Sequence, residues 1–254
     1  MPVTIAISGK GGVGKTTLSA LLIRHLNDLG ITSILAVDAD ANVNLNDLLG
    51  VESVESIGTI REEMRAKIND VPGGMTKQQF LEYKIHSSLL EDGRFDLITM
   101  GRPEGPGCYC YANSLLRDIL KSLADNYEYV ILDNEAGMEH LSRRTVQKID
   151  YLLIVSDPTV RGVQTAGRIS RLIKELDTRV DFKYLVINRV RDRLSGQVKE
   201  QISREGLDVL CTIPEDDSVY NGDSQGHSVY DLAQSSPFYA SVADLWQKIK
   251  SGSG

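Results

Sequence analysis

Residues 9–16 read Gly-Lys-Gly-Gly-Val-Gly-Lys-Thr and directly follow the apolar run Val3-Thr4-Ile5-Ala6-Ile7-Ser8. Glycines let a backbone wrap closely around phosphate groups and point its N–H groups inward. In a loop of this kind Lys15 reaches the β- and γ-phosphates, and the hydroxyl of Thr16 holds Mg²⁺. A strand before the loop and a helix after it is the context that this phosphate-binding loop (P-loop) requires. The stretch therefore predicts a nucleoside triphosphate site formed by Gly11, Gly12, Val13, Gly14, Lys15, Thr16 and Thr17.

Apolar runs typical of strands alternate along the chain with helical patterns. Continuous apolar runs indicate strands that are buried on both faces of a parallel sheet. One helical stripe extends from Leu18 to Leu29 and ends at Gly30, and another extends from Leu115 to Leu123. The alternation predicts an α/β fold with a doubly wound, mostly parallel sheet, helices on both faces and ligands at the carboxyl ends of the strands. The predicted strands are Val3–Ser8, Ile34–Val37, Leu97–Met100, Tyr129–Leu132, Tyr151–Val155, Tyr184–Ile187 and Val209–Ile213.

The chain is predicted to form a single P-loop domain over residues 1–250. The charged segment 51–94 differs from its surroundings, and its pattern predicts two amphipathic helices around the turn Val71-Pro72-Gly73-Gly74. We interpret it as an insertion on the rim of the sheet, which is either a surface for a partner or a solvated helical cover. Residues 251–254 are interpreted as a flexible tail outside the fold.

The bulk composition argues against several classes of partner, although it does not exclude a local basic patch. The formal net charge is −7 and the pI is near 5.2, whereas a nucleic-acid-binding protein needs a basic footprint. No apolar run approaches the length of a membrane span, and the carboxyl-terminal helix pattern is too short and mixed for a membrane anchor. The amino-terminal strand leads directly into the P-loop, so we expect no signal peptide. Three cysteines fit a reducing compartment, and we expect a cytoplasmic protein without nucleic-acid or membrane partners.

Two acidic residues follow the second predicted strand. Carboxylates at the carboxyl end of a parallel strand point into the crevice where ligands bind. Asp38 is therefore predicted to hold a Mg²⁺-bound water, and Asp40 to orient or deprotonate the attacking water. The alternative is an aspartate that caps a helix over Ala41–Leu49.

A third acidic residue ends the apolar strand Tyr129-Val130-Ile131-Leu132-Asp133. This is the Walker B pattern, in which the carboxylate of Asp133 contacts Mg²⁺ through water. The residues after it fit a γ-phosphate-sensing loop, in which Gly137 offers a backbone N–H to the γ-phosphate. Glu139 and His140 are weaker candidates, since a histidine here is more often a surface or capping residue.

Lys10 is a second lysine within the loop, and binding one nucleotide in one subunit does not require it. Its long side chain could reach phosphates bound by a neighbouring subunit, as an arginine finger does in trans; the alternative is a solvated loop lysine. With Gly-Gly-Val-Gly-Lys-Thr-Thr it resembles the deviant Walker A family of SIMIBI-like P-loop NTPases, which includes Mrp/MinD proteins, partition ATPases and nitrogenase iron protein. The resemblance implies a sandwich homodimer that Lys10 crosses, with Asp40 as the switch I aspartate.

The same resemblance assigns the base contacts. Tyr184-Leu185-Val186-Ile187-Asn188-Arg189 ends a strand with Asn-Arg, where the family places an asparagine that hydrogen-bonds adenine. A side-chain amide offers both the donor and the acceptor that a purine edge needs. Pro214 falls where the family closes over the base. The alternative is that both are ordinary loop residues.

Gly107-Cys108-Tyr109-Cys110-Tyr111 is the second informative stretch. Cys-x-Cys is too close for a comfortable internal disulfide, and paired thiols in a reducing cell indicate a soft metal. A helix predicted to begin near Asn113 would lower the pKa of both thiols. One chain supplies two thiolates, and a symmetric dimer supplies the four that complete one site. The alternative is two small apolar residues in a turn; Cys211 is interpreted as a core residue.

The P-loop, Cys-Tyr-Cys before a helix and Asp133-Asn134-Glu135-Ala136-Gly137-Met138-Glu139-His140 together resemble a narrower group. This group is the nickel-insertion accessory ATPases of carbon monoxide dehydrogenase and acetyl-CoA synthase (CooC/AcsF type). The resemblance implies that Cys108 and Cys110 bind one Ni²⁺, or Zn²⁺ in its place, per homodimer. It also implies that ATP binding and hydrolysis with Mg²⁺ couple to dimer rearrangement and to metal release to one of these two client enzymes. Arg189 is a mild departure, since lysine is commoner there.

Two other functions remain open from the sequence. Four thiolates at a dimer axis would equally hold a [4Fe–4S] cluster, as in an iron–sulfur cluster-carrying ATPase of the Mrp or nitrogenase iron protein type. The Cys-x-Cys spacing opposes this, because those relatives place their cysteines differently. A partition or positioning ATPase would need a basic patch or an amphipathic membrane helix, and the acidic balance opposes both.

Overall fold

The computed structural model describes residues 2–40, 42–52, 55–66, 74–101, 118–134, 148–173 and 179–252. The strands of these residues form one sheet in the order β3-β4-β2-β5-β1-β6-β7-β8. Neighbouring strands pair in parallel, except that β3 and β4 are antiparallel. The strands are β1 (Val3–Gly9), β2 (Ile34–Asp38), β3 (Leu90–Glu91), β4 (Asp96–Thr99), β5 (Tyr129–Asp133), β6 (Lys148–Ser156), β7 (Arg179–Val190) and β8 (Val209–Pro214).

The doubly wound α/β prediction is confirmed. Each apolar run identified in the sequence forms a strand, because its side chains are covered on both faces of the sheet. The sequence did not indicate β3, which has only two residues and no periodicity to detect. It also missed the amino-terminal part of β7, where Arg179, Asp181 and Lys183 interrupt the apolar pattern.

Helices cover both faces of this sheet. The first helix ends before Gly30, whose φ of +81° fits the predicted stop. Leu29 is 51% exposed and does not belong to the buried stripe in which the pattern placed it. The helices are α1 (Lys15–Asp28), α2 (Leu45–Leu49), α3 (Ile57–Ala66), α4 (Lys77–Ser87), α5 (residues 118–124), α6 (Val160–Leu172), α7 (Gly196–Glu205), α8 (Asp217–Ser224) and α9 (Pro237–Ser251).

Two apolar clusters hold these layers together. On one face, α1, α2 and α9 pack against side chains such as Ile5 and Ile131, and Trp246 is fully buried there. On the other face, α3 to α7 pack against the alternate side chains of the same strands, including Leu152 and Leu185. Alternation along each strand therefore assigns neighbouring residues to opposite clusters.

The segment 51–94 connects β2 to its parallel neighbour β4. It contains α3 and α4, while the turn predicted at residues 71–74 lies almost wholly outside the described residues. Ile60 and Ile85 are fully buried against the second face of the sheet. The two helices are thus the crossover that a parallel pair of strands requires. Among the described residues, no helix is both long and apolar enough to cross a membrane.

Candidate nucleotide-binding site

The P-loop joins β1, which lies between β5 and β6, to the amino terminus of α1. Gly14 has φ +92°, and a Cβ atom there would lie 2.4 Å from Nδ2 of Asn188, so only glycine fits. No described side chain caps the start of α1. Its first N–H groups and the positive end of the helix therefore face the loop, which is the arrangement that binds phosphate.

The two P-loop lysines have different surroundings. Lys15 is only 7% exposed, and its Nζ donates a hydrogen bond to the carbonyl of Lys10 at 3.4 Å. The side chain of Lys10 is exposed. The Lys15 side chain is thus buried against the P-loop backbone, whereas the Lys10 side chain is open to solvent.

A row of buried acidic groups lies beside the loop. Asp38 and Asp133 pair in register at the carboxyl ends of β2 and β5, and both are almost fully buried. The hydroxyls of Ser19 and Thr16 hydrogen-bond to Asp133, the former to Oδ1 at 3.1 Å. Oδ2 of Asp133 is buried and has no partner among the described residues.

Burial raises the pKa of Asp133 to about 7. The Thr16 and Ser19 hydroxyls and the ammonium of Lys15 oppose this rise, and the neighbouring carboxylate of Asp38 adds to it. Burial also raises the pKa of Asp38. Asp38 and Asp133 are therefore two buried acids side by side, and one oxygen of Asp133 has no partner among the described residues. A cation bound next to them would lower the cost of burying their negative charge.

These residues fit Mg²⁺ on the chemistry of their donors. The carboxylates of Asp38 and Asp133 and the hydroxyl of Thr16 are oxygen ligands, which Mg²⁺ prefers. Oδ2 of Asp133, which no described residue contacts with a hydrogen bond, offers an acceptor at that edge. A hydrogen bond joins Thr16 and Asp133, so the P-loop hydroxyl and the carboxylate at the end of β5 lie together.

Asp38 also holds the chain that follows β2. Its Oδ2 accepts hydrogen bonds from the N–H groups of Asn44 and Leu45, each at 3.1 Å, and its Oδ1 accepts one from Asp40 N at 2.9 Å. The alternative of an aspartate that caps a helix is therefore correct in part. Asp38 accepts the hydrogen bonds, but the helix that it caps is α2, which begins only at Leu45. Asp40 is half-buried, and its Oδ1 accepts a hydrogen bond from Asn42 N.

A cavity of about 750 Å³ opens beside the P-loop. Its walls include Gly14, Thr17, Asn188, Arg189 and Pro214, so the residues proposed for the base lie together. Nδ2 of Asn188 donates to the carbonyl of Val13 at 2.8 Å, and its Oδ1 accepts from Arg189 N at 2.8 Å. Both polar atoms of the Asn188 side chain are therefore hydrogen-bonded to main-chain groups. Its contact with adenine stays a prediction.

Several predicted residues lie outside the described residues. They are Cys108, Cys110, Gly137, Glu139 and His140. Over the ranges that the structure describes, no group of three or more His, Cys, Asp or Glu side chains is arranged for a metal. Cys211 is buried as predicted, and burial raises the pKa of its thiol to about 12.

Two supporting residues were not identified from the sequence. Ser19 follows Lys15 by one helical turn, so a helical projection could have placed its hydroxyl on the face toward Asp133. Asn134 is buried, and its Nδ2 donates to the carbonyl of Ile7 at 2.9 Å, which ties the end of β5 to β1. No sequence spacing indicates that contact, because the two residues come from separate strands.

The fold and this site define a P-loop nucleotide-binding protein. Residues 4–229 match the CobQ/CobB/MinD/ParA nucleotide binding domain, and the chain belongs to this family. The family is an ATP-binding one, and ATP with Mg²⁺ is the ligand that membership implies.

Individual relatives narrow the comparison. An uncharacterized ATP-binding protein of Methanocaldococcus jannaschii is 41% identical, over 96% of this chain and 97% of the relative. The carbon monoxide dehydrogenase accessory protein CooC of Rhodospirillum rubrum is 31% identical, over 90% of each chain. Among solved structures, the MinC:MinD cell division protein complex of Aquifex aeolicus matches with a TM-score of 0.71 and 23% identity, over 98% of this chain and 96% of that one. That likeness shows the fold.

Proposed function

We propose that this protein is a homodimeric ATPase that carries Ni²⁺ as its cargo and assists nickel insertion into carbon monoxide dehydrogenase or acetyl-CoA synthase. The observation that carries the ATPase activity is the buried edge of Thr16, Asp38 and Asp133 beside the P-loop. The nickel cargo is supported by the Cys108–Cys110 pair and by the similarity to a carbon monoxide dehydrogenase accessory protein over 90% of the chain.

The chemistry is an in-line attack of water on the γ-phosphate. Bound Mg²⁺ would neutralise charge on the β- and γ-phosphates, and Thr16, Asp38 and Asp133 would hold it. Asp40 orients the attacking water, and Lys15 stabilises the charge that develops as the bond to the γ-phosphate breaks. The backbone N–H of Gly137 contacts the γ-phosphate, while Asn188 and Pro214 border the base.

The homodimer completes both sites. The side chain of Lys10 is exposed, and in the dimer it reaches phosphates held by the second copy. Each chain brings Cys108 and Cys110, so two chains supply the four thiolates of one metal site. Zn²⁺ takes the same ligand set.

The end of β4 lies next to Asp38 of the nucleotide edge. The main-chain N–H of Met100 donates to the carbonyl of Asp38 at 2.8 Å, directly before the segment that carries the cysteines. The nucleotide edge and the start of the metal segment are therefore joined by a main-chain hydrogen bond. This supports coupling between nucleotide state and metal release.

Metal analysis tests this function. We expect the dimer purified after Ni²⁺ loading to hold about one nickel per two chains, as four thiolates fill one site. Cys108→Ala combined with Cys110→Ala should abolish stoichiometric nickel binding while ATP binding survives. Cys211→Ala is the matched control, because that thiol is buried in β8, and it should retain nickel.

Two results would contradict the proposal. The first is undiminished nickel binding in the double variant. The second is broad visible absorption and brown colour after anaerobic purification, since that would indicate an iron–sulfur cluster carrier instead.

A further inference from the structure

Part of the cavity wall is a short segment that α1 holds in place. Ser228 precedes a 3₁₀ turn over Val229–Asp231, and Val229, Asp231 and Leu232 line the cavity. The side chain of Arg24 in α1 is buried, and its Nη1 donates to the carbonyls of Val229 and Leu232, the latter at 2.7 Å. This side of the wall is therefore fixed to the helix that begins at the P-loop.

The same segment contacts α2 on its other side. The hydroxyl of Ser228 donates to the carbonyl of Leu48 at 3.2 Å, and Leu48 itself lines the cavity. Gly50, which ends α2 with φ +71°, packs so closely that an added Cβ would lie 2.9 Å from Cβ and Oγ of Ser228. With no room for a side chain between them, a displacement of α2 must displace Ser228.

The opposite end of α2 is held by the proposed Mg²⁺ edge. Asp38 accepts the N–H groups of Asn44 and Leu45, so its carboxylate fixes the start of the helix. The intervening Val43 has φ +50°, which is strained for a β-branched residue. The loop is held in this conformation by Asp38 and would relax if that carboxylate turned toward another partner.

We infer that Ser228 is a positioning residue that couples the Mg²⁺ and γ-phosphate edge to the wall of the base cavity. When Asp38 changes partners, α2 shifts, and Leu48 and Gly50 carry Ser228 and the wall with them. Base recognition therefore depends on whether the γ-phosphate is present. The inference rests on the proposed ATP site and adds a regulation of that site.

Calorimetric binding constants of four nucleotides test the coupling. With Mg²⁺ present, we compare the preference for ATPγS over GTPγS with the preference for ADP over GDP. In the wild type we expect the two preferences to differ about fivefold, the lower end of common coupling energies. Ser228→Ala should reduce that difference to less than about twofold, because it removes the hydrogen bond to Leu48.

Asp231→Ala is the matched control. It removes the carboxylate that accepts Ser228 N and caps the same turn, yet leaves the Ser228–Leu48 hydrogen bond in place. We expect it to weaken binding of all four nucleotides alike and to preserve the difference between the two preferences. Gly50→Ala, which forces α2 away from Ser228, is the second test and should reduce the difference as Ser228→Ala does.

The possible failures are distinguishable. Equal preferences in the wild type, or a preserved difference in Ser228→Ala, would overturn the coupling while leaving the ATP site intact. Failure of the wild-type protein to bind any of the four nucleotides would instead contradict the proposed function.

Discussion

The carboxyl group of Asp133 is buried beside a second acid, and this placement destabilises its charged form. Its pKa is raised to about 7, so in the folded protein it holds a proton over a pH range in which the unfolded chain has released it. The stability that this difference gives is complete below the unfolded pKa near 3.8 and is lost as the pH rises through about 7. At pH 8 the buried, ionised carboxylate of Asp133 therefore lowers the free energy of unfolding of the nucleotide-free protein.

Asp133→Asn is expected to raise the melting temperature of the nucleotide-free protein at pH 8. The neutral amide avoids the cost of a buried charge, and we expect an increase of roughly 3–6 °C, the effect of about 1–2 kcal/mol in a domain of this length. The increase should shrink toward pH 5.5, where Asp133 itself is protonated. Melting curves of both proteins between pH 5.5 and pH 8.5 measure this.

The difference between the two proteins is the informative quantity. Burial lowers the pKa of His25, so the stability linked to that group is lost as the pH falls below its usual value of 6.5, the opposite direction. His25 is common to both proteins and cancels in the difference. A pH-independent difference would show that Asp133 ionises normally and contradict the prediction.

Among single residues, the sequence predicted some roles and could not predict the contacts of others. The P-loop fixes the roles proposed for Lys15 and Thr16, because the motif has one geometry. The partners of Asn188 could not be predicted, since Val13 lies 175 positions away and only the packed fold brings the amide to its carbonyl. The sequence likewise could not decide whether Asp38 caps a helix or holds a metal, because one carboxylate can do either.

At the scale of elements, apolar runs predicted strands well because both faces of the sheet are covered. Elements without such coverage were harder to predict. The two-residue β3 has no periodicity, and the charged start of β7 lies at a sheet position where β8 has not begun. The alternation of strands and helices predicted a doubly wound, mostly parallel sheet, but the sequence did not predict the order of its strands.

The helices of the segment 51–94 contribute to the core. Ile85→Ala in α4 should lower the free energy of unfolding by about 2–4 kcal/mol, since the side chain is fully buried against the sheet. His86→Ala, at the next and exposed position of the same helix, should change it by less than about 0.5 kcal/mol. Urea unfolding of both variants measures the difference.

A segment 51–94 that covered the sheet only loosely would give a different unfolding result. If Ile85→Ala unfolded with the same midpoint as His86→Ala, the segment would be a peripheral attachment whose burial does not stabilise the sheet. The crossover arrangement would then not be needed for stability.

At the scale of the whole molecule, the account requires two chains. In the proposed ATP site, Lys15, Asp40 and the acidic edge serve the nucleotide of their own chain, and the exposed Lys10 serves the nucleotide of the partner. The proposed nickel site likewise needs four thiolates, of which Cys108 and Cys110 of one chain supply two.

Mixing two inactive variants tests this claim most directly. Lys10→Ala lacks the lysine given to the partner's site, and Asp40→Ala lacks the residue that orients water in its own site. Each alone should hydrolyse ATP very slowly. In an equal mixture half of the dimers are mixed and each has one complete site, so ATPase activity should recover to about a quarter of wild type. No recovery above the separate variants, although mixed dimers form, would contradict the account.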